Sequence, residues 1–108
     1  MTTITYKPYC LEIQGHAGYA IAGQDIVCAG ISTLFFTLIE VLARDADLKE
    51  RPHVRMGDGE AEVTVTPDPK HRDKTDAVFE TVVTGLRMMA EKYPEHVVFK
   101  MNPEEVTI

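Results

Sequence analysis

The segment from Asp25 to Arg44 limits the folds open to this chain more than any other stretch. Ile31, Leu34, Phe35, Leu38, Val41 and Leu42 recur at helical spacing along one face. Val27, Phe36 and Ile39 widen that arc well beyond a single stripe. A helix this apolar must be covered on more than one side, either between a sheet and another helix or against a second copy of the chain. Asp25 stands at its entry, where a carboxylate can accept from free N–H groups, and Arg44 is the matching charge at the far end. The run from Ile31 to Leu42 is interrupted by Ser32, Thr33, Thr37 and Glu40. It therefore reads as too short and too polar to span a bilayer.

The remaining elements supply the cover. Ile4–Lys7 and Cys10–Gln14 alternate apolar and polar residues about a Pro8-Tyr9 turn, which predicts a hairpin. His53–Met56 and Glu60–Thr66 flank Gly57-Asp58-Gly59, where Asp-Gly suits the positive φ of a tight turn. Pro67–Arg72 is a proline-rich, charged loop. Asp73 to Tyr93 predicts a second helix whose buried stripe is Phe79, Val82, Val83, Leu86, Met89, Ala90 and Tyr93. Asp73 or Thr75 is positioned to cap it, and Pro94 ends it. Val97–Met101 is a last strand and Asn102 onward a tail. The order ββαββαβ predicts an α+β fold: a mostly antiparallel sheet with both helices packed on one face.

At 108 residues the chain is expected to form one domain, residues 1–108, with a single core. Its formal net charge of −6 argues against nucleic acid, whose phosphates require clustered Lys and Arg. No signal peptide is evident at the N-terminus, so a cytoplasmic location is expected and Cys10 and Cys28 should be free thiols.

Between the first hairpin and the first helix lies a loop, Gly15 to Gln24, with Gly15, Gly18 and Gly23 as hinge candidates and Tyr19 between them. It carries His16. Cys28 falls in the first turn of the helix that follows, where unpaired N–H groups and the helix dipole favour a thiolate. An imidazole close by takes the thiol proton and later returns one to a leaving group, and first-turn N–H groups are placed to receive an oxyanion. Asp25, one turn before Cys28, and Ser32, one turn beyond it, are candidates to orient His16 or a substrate amide. The plain alternatives are a small core residue for Cys28, a helix cap for Asp25, and for Ser32 a hydroxyl bonded to the carbonyl four residues back. His53, His71 and His96 read as solvated or partly buried. No CxxC or HxxxH pair is present to hold zinc, so no metal or cofactor is expected.

Gly15-His16-Ala17-Gly18-Tyr19-Ala20, then Gly23-Gln24-Asp25-Ile26-Val27-Cys28-Ala29, then Ser32, resembles the signature of the ribosomal-processing cysteine protease (Prp) family. Thr84-Gly85-Leu86 and Ala90-Glu91-Lys92-Tyr93-Pro94 resemble that family's C-terminal half, so the likeness covers nearly the whole chain. The first hairpin turn is shorter than in many relatives, and Asp45 to Arg72 matches only in general pattern. The resemblance implies a homodimeric, cytoplasmic cysteine endopeptidase with Cys28 as nucleophile and His16 as proton donor and acceptor. Asp25 and Ser32 match supporting positions. It further implies a substrate: the N-terminal extension of a large-subunit ribosomal protein, cut after an aromatic residue. A phage relative acting on capsid or scaffold protein, or a binding module that grips such a segment uncut, are the alternatives.

Overall fold

A computed structural model describes residues 1–21, 23–45 and 47–101; the tail expected from Asn102 lies outside the described residues. Its strands are β1 (Thr2–Lys7), β2 (Cys10–Gln14), β3 (His53–Gly57), β4 (Glu60–Thr64) and β5 (Val97–Met101). The helices are α1 (Ile26–Asp45) and α2 (Arg72–Lys92). The five strands form one sheet in the order β3-β4-β2-β1-β5. Every neighbouring pair is antiparallel except β1 and β5, which run parallel. The fold is therefore α+β with a mixed sheet. The single parallel pair follows from topology, because α2 carries the chain from the β4 side across to the far edge, and such a crossover delivers a parallel strand.

Period-two alternation decides which face is buried. Ile4 stands opposite Ile13, Tyr6 opposite Leu11, and Leu11 opposite Val63, so one register fills one face with apolar side chains. Ile4, Leu11, Ile13, Val63 and Val97 join Val27, Ile31, Phe35, Leu38 and Leu42 of α1 and Phe79, Val82 and Leu86 of α2 in a single core. Both helices thus cover the same face. Where α1 crosses α2, Gly85 lets the helices close up, since a Cβ there would sit 3.0 Å from Leu34 Cδ2.

Some boundaries differ from the sequence reading. β4 ends at Thr64, although Val65 stays buried and its N–H bonds the Tyr9 carbonyl at 3.1 Å. A short 3-10 turn, Pro69–His71, opens α2, and its cap is Asp68, which accepts from Lys70 N at 3.0 Å. Neither Asp73 nor Thr75 caps α2: Asp73 lies in its first turn, and Thr75 is fully buried inside it. Membrane reach also needs correction. Ile26–Arg44 is long and apolar enough to cross a membrane by length and composition. Ile26, Val27, Cys28 and Ala29 extend the apolar stretch before Ile31 by a full turn. In the fold, the inner stripe of that helix is core.

Candidate active site

The site forms where β2 hands over to α1. Asp25 starts the helix: its Oδ1 accepts from Val27 N at 3.0 Å and Cys28 N at 2.9 Å. Its Oδ2 accepts from Tyr19 N at 3.0 Å and Ala20 N at 3.4 Å. One carboxylate thus caps α1 and ties the glycine-rich loop to it. These amides, that of Cys28 first, hold the carboxyl below its ordinary range. Four backbone N–H groups thus occupy the Asp25 carboxylate, and the Cys28 side chain also helps to hold its pKa down.

Cys28 is partly buried, and its thiol is free. The helix amides expected to serve its sulfur are spent on Asp25. The direct donor comes instead from the loop: Ala17 N–H points at Cys28 Sγ, 3.3 Å away. Ala17 is buried, and its carbonyl accepts from His96 Nδ1 at 3.0 Å. The nitrogen of Met1 donates to the His16 carbonyl at 2.7 Å. Gly15, at φ +90°, packs so tightly on Met1 that a Cβ would lie 2.3 Å from its carbonyl oxygen. The His16–Ala17 segment is therefore anchored. Gly18 and Gly23 both take positive φ, with open space where a Cβ would go.

The His16 side chain is two-thirds exposed, and its Nε2 lies 3.4 Å from Asp58 Oδ1 on the β3–β4 turn. The backbone seats it there. Gly15 N donates to Gly59 O at 2.7 Å, and a Cβ on Gly59, at φ +72°, would sit 3.2 Å from Nε2. Among the described residues His16 and Cys28 share no hydrogen bond, yet both line one open cleft of about 760 Å³. Gly18, Gly23, Gln24, Asp25, Ser32 and Asp58 also border it. Ser32 is exposed on the cleft wall, and its hydroxyl does not bond back along the helix as those of Thr33 and Thr37 do. Tyr19 turns away from the cleft, its ring edge-on to Tyr93 and His96 with centroids 5.6 and 5.4 Å away.

The fold adds Asp58 and Gly59 beside His16 and His96 beside Ala17, none of them in the glycine-rich segment. Asp58-Gly59 read only as turn chemistry. Once β2 and β4 pair with Gln14 opposite Glu60, that turn must flank the loop leaving β2. His96 gave no sequence signal, since its partner is a backbone carbonyl 79 residues away.

A thiol at a helix start and an imidazole on the adjoining loop line one open cleft, an arrangement suited to a cysteine-type peptidase. The profile of the cysteine protease Prp family matches residues 2–98, and the chain belongs to that family. Relatives named ribosomal processing cysteine protease Prp share 26% identity over 85 residues in Staphylococcus aureus and 27% over 89 in Bacillus subtilis. In each comparison 79% of this chain and 78% of the relative are covered. A crystal structure of the S. aureus protease with a covalently linked product peptide has a TM-score of 0.77 at 22% identity. It covers 94% of this chain and 97% of its own. A Streptococcus mutans crystal structure gives 0.70 at 30% identity, with coverage of 93% and 90%.

Proposed function

We propose that this chain is an endopeptidase with a Cys28–His16 dyad, and that its substrate is the N-terminal extension of a large-subunit ribosomal protein. The observation that carries the dyad is the shared cleft: among the described residues that line it are one thiol, Cys28, and one imidazole, His16, whose Nε2 lies 3.4 Å from Asp58. The name of the S. aureus and B. subtilis relatives supports the substrate.

His16 takes the Cys28 proton, and the thiolate, steadied by Ala17 N–H, attacks the scissile carbonyl carbon. The C–S bond forms as the carbonyl π electrons move to oxygen. Collapse breaks the C–N bond, and the imidazolium gives its proton to the leaving amine. Water, losing a proton to His16, then attacks the thioester. The new carboxyl end departs, and the thiolate recovers the proton. The imidazole must leave Asp58 for Cys28 once a peptide fills the cleft; catalytic hydrogen bonds commonly tighten only in the complex. Asp25 supports the site by fixing helix start and loop together, and the Ser32 hydroxyl is available to a substrate amide.

The test mixes the protein with a peptide bearing an aromatic residue before a small one. Cleavage that vanishes in Cys28→Ala and His16→Ala meets the expectation; undiminished cleavage by either variant refutes the dyad. The same reading takes the chain as a cytoplasmic homodimer. Its support is the apolar surface left by α1 and β3: Ile26, Phe36, Val54 and Met56 are between 40% and 58% exposed. Light scattering at micromolar concentration should give twice the chain mass.

A further inference from the structure

We propose that His96 is a positioning residue for the reactive sulfur, acting through Ala17. This rests on Cys28 being the nucleophile. His96 sits between α2 and β5, remote in sequence from the glycine-rich loop. Its Nδ1 lies 3.0 Å from the Ala17 carbonyl oxygen. A carbonyl can only accept, so Nδ1 carries the proton in that bond. On the other side of the same Cα, Ala17 N–H points at Cys28 Sγ at 3.3 Å. The two peptide groups flanking Ala17 are thus held at opposite ends, one by the imidazole and one by the sulfur.

His96 is itself fixed. Its carbonyl accepts from Thr2 N at 2.9 Å, and its N–H bonds Tyr93 O at 2.9 Å. The Tyr19 ring stands edge-on against its imidazole. The brace therefore runs from the start of β5 into the loop that carries His16 and Ala17. Met1 N holds the peptide that carries the Ala17 N–H, through the His16 carbonyl at 2.7 Å, and His96 holds the next one through the Ala17 carbonyl, which no other donor reaches among the described residues. Donors aimed at a developing anion act through such fixed placement. Loss of one partner in a part-buried hydrogen bond leaves the other unsatisfied.

The experiment compares the full chain with His96→Ala and His96→Asn, the latter keeping an N–H donor near the Nδ1 position. Two rates are read: peptide cleavage, and alkylation of Cys28 by iodoacetamide with Cys10 as the internal reference. In His96→Ala, kcat/KM should fall about tenfold, mostly in kcat, with Cys28 alkylation slowed in parallel and Cys10 unchanged. His96→Asn should recover both to within about threefold. Wild-type rates in His96→Ala overturn the proposal. So does equal loss in both variants with faster labelling of Cys10, the mark of general loosening. Failure of the dyad shows separately, as cleavage that survives His16→Ala; the alkylation comparison decides the role of His96 in that case too.

Discussion

Gly59→Ala separates the backbone's contribution to the site from its contribution to stability. Gly59 has φ +72°, a region in which a Cβ crowds the following carbonyl at a cost of about 1–2 kcal/mol. For a domain of this size that lowers Tm by roughly 4–8 °C for each kcal/mol. The new Cβ also arrives 3.2 Å from His16 Nε2. The imidazole is two-thirds exposed and can swing off without further loss of stability, so the steric conflict appears in function instead. That Cβ narrows the space in which the ring turns from Asp58 toward Cys28, so kcat/KM should fall about tenfold, since catalysis is steep in placement. Gly59→Asn supplies the control. Asn tolerates positive φ better than Ala, so Tm should largely recover, whereas its Cβ is equally placed and activity should not. Calorimetry and peptide cleavage on the three proteins suffice. If Gly59→Asn is as active as wild type, the turn does not seat the imidazole and the reasoning fails.

Three other substitutions test the same contacts. Phe79→Ala removes a fully buried ring stacked near Tyr6 and Tyr9 and should cost about 3–5 kcal/mol in urea unfolding; under 1 kcal/mol would mean α2 is not core. Asp25→Ala frees the Tyr19 and Ala20 amides together with the helix cap, so the loop should gain proteolytic sensitivity and cleavage activity should drop. Because its folded pKa is depressed, Asp25 stabilises above its ordinary value of 3.8, and that stabilisation disappears as pH falls through the lower folded value. The wild-type and Asp25→Ala urea midpoints should therefore converge in acid, and a constant gap would contradict this. Burial, then the charges of Tyr9 and Asp76, raises the Tyr6 pKa from 10.0 to about 12. The neutral phenol is favoured in the fold, so its contribution is complete below 10.0 and is lost as pH rises through about 12. Tyr6→Phe should flatten the alkaline decline in stability; an unchanged decline places its cause elsewhere.

The sequence carries most of this fold because its signals are local. Leu11-Glu12-Ile13-Gln14 alternates cleanly, Asp58-Gly59 turns, and Pro94 stops a helix. What it hid is relational. The parallel pairing of β5 with β1 depends on where α2 ends, which no window of residues encodes. Thr75 looks like a cap and is core because the 3-10 turn at Pro69–His71 starts the helix three residues earlier. At the site, His16, Cys28 and Asp25 stand out through type and spacing, but their division of labour does not. Asp25 uses its charge on backbone amides, and the sulfur takes its donor from Ala17 instead of the helix. Backbone donors and acceptors carry no residue identity, so Ala17 and the carbonyl that His96 reaches could not be read from side-chain chemistry.

The central claim is that Cys28 attacks the peptide and that His16 enables it. Acid-quenched mixtures of the protein and an activated aromatic peptide ester, digested and weighed by mass spectrometry, test it most directly. The account predicts a thioester adduct on the peptide containing Cys28, none on that containing Cys10, and slow adduct formation in His16→Ala. Turnover with no adduct on Cys28, or an adduct that forms equally fast without His16, would contradict it.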